Sequence, residues 1–332
     1  MLSDVDKVKD HWSTVDCSAS EKNFYCFPVI RTRSCQLIFN ESDATRRDWC
    51  EYWTAEKYLK SNMPFDKCLS ICCGFGEVER TLAKLHVART IVGTDIAPGA
   101  IEEARRRAKA EGLENIKYYV SDLNNERLAP NEYDLIYANG ALHHIANLER
   151  VVPELHSALH AGGYLVSNEY VGPKYQQIGV RQQEIVNAAK HLLPPELRGK
   201  AFIRKPYGNS LVARAIRYGR RNCTGTSQIY EILYEKPPLA HFLSTDPSEC
   251  VSSDRIIPTL KHYFDEVEVK YFNGSILQYA LDNRFYDNFT PSNAKHRGAL
   301  QMLFELEDAF AATGELNQDN AHIICRKRIA RV

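Results

Sequence analysis

Two glycines, two aspartates, a histidine pair and a glutamate stand out by type and spacing. Cys73-Gly74-Phe75-Gly76 closes a short apolar run, Lys67–Cys72. Glycines there let the backbone turn sharply and approach a ligand without Cβ obstruction. Asp95 ends a second β-rich run, Thr90–Thr94, nineteen residues after Gly76. An acid at about that distance can accept hydrogen bonds from both hydroxyls of a ribose. Asp122 follows a third run, Ile116–Val120. A short carboxylate there can take a hydrogen bond from an adenine amino group, or simply cap a helix. Singly, each has a plain reading as a tight turn or a cap; together they point to an adenosine-type cofactor on one sheet edge. His143 and His144 come after a fourth run, Tyr133–Ala138, and Glu169 and Tyr170 after a fifth, Tyr164–Ser167. His144, Glu169 and Tyr170 are candidates for taking a proton from a reacting group.

The elements that must carry these residues follow from the alternation of apolar runs with helical spacing. Val78–Leu85, Pro98–Gly112 and Leu148–Leu159 read as helices between the five runs, the second with a proline near its first turn and a glycine as its stop. Strands alternating with helices at this spacing give βαβ units and a parallel sheet. The expected fold is α/β, a doubly wound, seven-stranded, mostly parallel sheet. In such a sheet, ligands bind at the carboxyl ends of the strands where the topology reverses. Val267–Phe272 and Ala321–Arg326 supply the last two strands, with helices over Ser253–Phe264 and Ala299–Thr313. Four segments are expected: a helical lid segment over 1–60, the cofactor-binding core over 61–170, a helical insertion capping the substrate over 171–252, and the end of the core sheet over 253–332.

A nicotinamide dehydrogenase competes for the same pattern. Its fingerprint is G-x-G-x-x-G, and the third glycine position here is Glu79. That glycine serves close helix–strand packing. Glu77 and Glu79 at a helix N-terminus would also oppose a pyrophosphate. A sulfonium cofactor without phosphate meets neither obstacle.

The sequence resembles the class I S-adenosylmethionine-dependent methyltransferase family. The residues that carry the likeness are Leu69-Ser70-Ile71-Cys72-Cys73-Gly74-Phe75-Gly76, Gly93-Thr94-Asp95-Ile96 with Ala100 and Ala104, Ser121-Asp122-Leu123, Tyr133-Asp134-Leu135-Ile136 with Leu142-His143-His144, and Leu159-His160-Ala161-Gly162-Gly163. The likeness covers roughly 66–170. It implies S-adenosylmethionine as cofactor, with Cys73, Gly74 and Gly76 lining its methionine end. Asp95 and Ile96 would lie at the ribose, Asp122 and Leu123 at the adenine, and Asn139 and Gly140 beside the reacting methyl. It also implies an antiparallel final strand. Ser70 and Cys72 stand where the family usually has an acidic residue and a further glycine.

The acceptor is less legible. Methyl transfer is an in-line displacement, so the protein must place the acceptor and remove any leaving proton. From Arg198 to Tyr230 there are eight basic residues and no acidic one. Arg214, Arg217 and Arg221 fall at i, i+3 and i+7 and would share a helix face. Forked guanidiniums suit phosphate or carboxylate, although a solvated helix face explains them too. Together with His143 and Tyr175 they are the expected substrate contacts, for a small, phosphate- or carboxylate-bearing acceptor methylated on oxygen. Tyrosines in the insertion could steady a carbocation, which gives C-methylation of a prenyl diphosphate as an alternative. A cofactor-binding but inactive partner module is an alternative of another class. Nucleic acid is disfavoured, because no stacking motif accompanies the charges.

Bulk composition fits this reading. Lys+Arg and Asp+Glu are both 42 in 332 residues, so no global bias toward polyanions exists. Ten cysteines show no C-x-x-C pair, and free cysteine behaves as a small buried hydrophobe. With a charged N-terminus lacking an apolar stretch and no run of membrane-spanning length, a reducing cytoplasm is expected. His156 and His160 have i, i+4 spacing but no zincin-like carboxylate between them, so no metal is expected. A homo-oligomer is left open.

Overall fold

A computed structural model describes residues 3–14, 24–46, 48–198 and 234–328. In chain order the elements are α1 (Asp4–Trp12), α2 (Pro28–Phe39), α3 (Trp49–Thr54), β1 (Phe65–Ile71), α4 (Glu77–Lys84), β2 (Ala88–Asp95), α5 (Pro98–Ala110), β3 (Ile116–Val120) and β4 (Tyr133–Asn139). They continue with α6 (Leu148–Ala158), β5 (Leu159–Tyr170), α7 (Val180–Leu192), α8 (Leu239–Thr245), α9 (Ile256–Tyr263), β6 (Glu266–Tyr271), α10 (Leu277–Ala280), α11 (Asn283–Asn288), α12 (Ala294–Thr313) and β7 (Asn320–Arg326). Contacts divide the chain into two units. The first comprises 1–178, 236–275 and 314–332, and the second 179–235 and 276–313. The second thus draws on the segment expected as a cap and, through α12, on the segment expected to close the sheet.

The first unit is built on one seven-stranded sheet of order β3-β2-β1-β4-β5-β7-β6. β1 to β5 pair in parallel, and β7 runs antiparallel to both neighbours. The chain winds outward from β1 to β3, then crosses to β4 on the other side of β1. The carboxyl ends of β1 and β4 therefore flank the reversal of topology, the place at which open α/β sheets bind their ligands.

Strand residues point alternately to the two faces. Leu69, Ile71, Ile136 and Ala138 join Leu148, Val151, Val152 and Leu155 of α6 and Ile256 and Leu260 of α9 on one face. Cys68, Leu135 and Tyr137 join Leu82 and Ala83 of α4 and Leu59 on the other. Helices cover both faces, so the central strands read as unbroken apolar runs, and each fully buried aliphatic side chain contributes about 1.5–3 kcal/mol. β6 lies at the sheet edge; it packs Val267 and Val269 inward and leaves Glu266, Glu268 and Lys270 outward. Charge on an edge strand discourages pairing with another chain. No helix among the described residues is long and apolar enough to cross a membrane.

In the second unit, α10 and α12 are joined by Glu307, a fully buried residue whose Oε2 accepts from the backbone N–H of Ile276 at 2.7 Å and of Leu277 at 2.9 Å. Lys190 of α7 pairs with Asp282 at 3.1 Å. Asp282 also caps α11 through the N–H groups of Arg284 and Phe285.

Candidate active site

The turn after β1 passes through positive φ at Cys72, Gly74 and Gly76. A Cβ on Gly76 would collide with the Tyr118 hydroxyl, so this position requires glycine. Asp95, at the end of β2, accepts from the Gly74 N–H through Oδ2 and from the Ala97 N–H through Oδ1, both at 2.9 Å. The carboxylate is thereby fixed between the glycine turn and the start of α5, and each oxygen keeps acceptor capacity for a hydroxyl. Burial raises its pKa, and the backbone hydrogen bonds work against that shift. Ile96 beside it is half-buried.

Asp122 caps its own turn, accepting from Asn124 N–H at 3.0 Å and from Asn125 Nδ2 at 2.6 Å. Leu123 behind it is buried. At the end of β4, Asn139 accepts from Asn168 Nδ2 at 3.3 Å, and the Gly140 N–H donates to the Asn168 carbonyl at 2.8 Å.

Glu169, at the end of β5 and expected as a base, has a geometry that gives it another task. Its Oε1 accepts from the N–H groups of Ala141 and Leu142, both at 2.8 Å, and from the Ser167 hydroxyl at 3.2 Å. Its Oε2 pairs with His143 Nδ1 at 2.7 Å. A buried carboxylate holding this many donors anchors the loop after β4 and is not available as a base for an acceptor. The Tyr170 hydroxyl is likewise engaged, donating to the Pro173 carbonyl at 3.2 Å. Tyr175 has φ of 52° and packs its ring against Phe242 in a tilted arrangement, with centroids 5.7 Å apart; its hydroxyl donates to the Pro247 carbonyl at 3.5 Å. Arg214, Arg217 and Arg221 lie outside the described residues.

His143 and His144 sit in the short helical turn Leu142–His144, with ring centroids 4.1 Å apart. Sequence reasoning missed their surroundings. His144 Nδ1 is 3.0 Å from the Ser248 hydroxyl, its Nε2 is 3.7 Å from Glu249, and its ring packs edge-on to Trp12 at 5.2 Å. Asp246 holds Ser248 at 2.6 Å and the Trp12 indole N–H at 2.8 Å. Burial and the neighbouring His143 push the His144 pKa down to about 4, so the ring is neutral near pH 7. For His143 burial opposes the charged form, but the Glu169 hydrogen bond and charge outweigh it and raise the pKa. Asp246, Ser248 and Glu249 lie in an irregular stretch far along the chain from the histidines, Ser248 being 104 residues beyond His144. Nothing in the periodicity of that stretch announces the contact.

Burial also pushes the Cys72 and Cys73 thiols well above their ordinary range, so both stay protonated. They are poor nucleophiles.

Residues 68–163 match a family described as a methyltransferase domain. The chain is 26% identical over 183 residues to a 2-phytyl-1,4-naphtoquinone methyltransferase of Nostoc sp. (strain PCC 7120), covering 52% of this chain and 77% of that protein. It is 31% identical over 99 residues to a trans-aconitate 2-methyltransferase of Variovorax paradoxus, covering 30% of this chain and 36% of that one. Among solved structures, a phosphoethanolamine N-methyltransferase of Haemonchus contortus in complex with S-adenosyl-L-methionine is similar at a TM-score of 0.43 and 15% identity, over 95% of this chain and 60% of that chain.

Proposed function

Since residues 68–163 form a domain of the class I S-adenosylmethionine-dependent methyltransferase family, we propose that this chain transfers the cofactor's methyl group to an oxygen of a small, anionic acceptor. The observation that carries the cofactor half of this reading is Asp95, pinned by Gly74 and Ala97 between the glycine turn and α5. A carboxylate so fixed needs no reorganisation to receive two ribose hydroxyls. The glycine turn lets the backbone reach the methionine end, and Asp122 and Leu123 stand after β3 for the adenine. S-adenosylmethionine supplies the electrophilic methyl; the chain's own residues orient it and place the acceptor in line.

The acceptor half rests on the basic run from Arg198 to Arg221 and on His144. A neutral imidazole can take the proton that leaves a hydroxyl, and His144 is held by Ser248 through Nδ1 alone, whereas both oxygens of Glu169 are occupied by donors. The acceptors in the relatives' names, a naphthoquinone and trans-aconitate, are small molecules, in keeping with this class of substrate.

Calorimetric titration with S-adenosylhomocysteine tests the cofactor site. Micromolar binding to the wild type is expected, weakened at least about 100-fold in Asp95→Ala, since two hydrogen bonds to a charged group at ~1.5–3 kcal/mol each are lost. A wild type that does not bind refutes the reading. Methyl transfer from labelled cofactor to panels of carboxylates, phosphates and neutral alcohols then tests the acceptor class. Product formed only with neutral alcohols would overturn the anionic part.

A further inference from the structure

The histidine pair has a feature that proton transfer does not use. The Ser248 backbone N–H donates to Asp246 Oδ1 at 2.9 Å, and the Ser248 hydroxyl, which has one proton to give, lies 2.6 Å from the same oxygen. With its proton on Asp246, that hydroxyl can only accept from His144 Nδ1–H. His143 Nδ1 similarly faces the Glu169 carboxylate, an acceptor. The hydrogen-bond network therefore places a proton on Nδ1 of both rings and makes Nε2 the nitrogen that each can offer to a metal, which displaces any proton there on binding. Beside them stands the carboxylate of Glu249, whose Oε1 accepts from the Cys250 thiol at 3.0 Å and whose Oε2 is 3.7 Å from His144 Nε2. Two ring nitrogens and a carboxylate oxygen thus converge. One ligand atom from each of His143, His144 and Glu249 lies within 4.8 Å of the others.

We propose that His143 Nε2, His144 Nε2 and Glu249 Oε2 bind a divalent transition-metal ion of the zinc class. Two imidazoles and one carboxylate form a ligand set suited to such an ion, and three protein ligands leave a fourth position open. The partners one bond further out are those a metal site needs: Glu169 on His143 and Ser248 with Asp246 on His144 orient the rings and fix their tautomers. Ligand atoms around tetrahedral zinc at ~2.0–2.1 Å lie about 3.3–3.4 Å apart, so the trio closes by up to about 1.5 Å when the ion binds, and the His144–Glu249 pair by much less. The ion makes His144 a ligand instead of a base. An acceptor hydroxyl bound at the open position would give up its proton to solvent water because coordination lowers its pKa. Metal binding itself stands on this geometry and does not require that the chain methylate anything.

The test is titration of the chelator-treated full chain with cobalt(II) chloride, read by visible absorption, followed by displacement with zinc chloride. One cobalt per chain is expected, with the intense bands of low-coordinate cobalt. His144→Ala and Glu249→Gln should each weaken binding about 100-fold, and Ser248→Ala about 10-fold, the range for removing a partner of a ligand. Binding well below one equivalent, or binding that both ligand variants leave unchanged, overturns the proposal. If His144→Ala does not fold, Glu249→Gln decides alone. S-adenosylhomocysteine binding by the same samples keeps the questions apart: cofactor binding without cobalt binding defeats the metal site only, and cobalt binding without cofactor binding defeats only the methyltransferase reading.

Discussion

Glu79 occupies the place where a dinucleotide site would need glycine, and its side chain is wholly buried. Its Oε1 accepts from the Ser70 hydroxyl, while Oε2 has no hydrogen-bond partner among the described residues. Ser70 stands where the family usually has an acid, so the carboxyl group absent from β1 returns from α4. By position in the motif Glu79 is a charge facing the ligand; burial instead pushes its pKa up to about 7. A raised carboxyl pKa means the folded state binds its proton more tightly than the unfolded one. The associated stability is fully present below about pH 4.5 and is lost as pH rises toward 7. Glu79→Gln should therefore match or exceed the wild type at pH 8 and lose this advantage near pH 5, as urea melts at the two pH values would show. An advantage that is the same at both pH values would mean the carboxyl is not the titrating group. The place of Asp95 at the end of β2 was legible because it depends on chain spacing. The fate of Glu79 was not, because helix periodicity does not say which way the first turn faces.

Between elements, the decisive join is the Glu169 bridge from the end of β5 to the loop after β4. It holds in place the turn that carries His143 and His144. Glu169→Ala strands the N–H groups of Ala141 and Leu142 in a buried setting, at about 1–3 kcal/mol for each unsatisfied group. A loss of at least about 2 kcal/mol in chemical denaturation is expected, and loss below about 0.5 kcal/mol would show that the loop holds without the bridge. The strands and helices that frame this bridge were readable because both faces of the sheet are covered and the runs are continuous. β5 is longer than its apolar run suggests. Gly162 and Gly163 lie inside the strand, where the pairing with β4 shifts register between Tyr133 and Leu135. A bulge of this kind hides a strand from any test of strict alternation.

For the molecule as a whole, the division into two units predicts that they respond separately to damage. Glu307→Ala removes the acceptor of two backbone N–H groups in the second unit. Hydrogen exchange should quicken over 276–313 while β1, β2 and β4 keep their protection. Equal loosening of the central strands would mean the two units unfold as one. This division was not legible in the sequence, because α12 has a helical pattern that fits either unit equally well and lies between two strands of the sheet.

The sheet order has a consequence for how the chain is made. β7 is threaded between β5 and β6, yet it is synthesised after both. Until it leaves the ribosome, the backbone groups along one side of β5 have no strand to meet, and β6 has none on either side. The nascent protein therefore carries a long, apolar, ready-made pairing edge through the synthesis of about 150 residues, which is the kind of surface that chaperones shield and aggregation exploits.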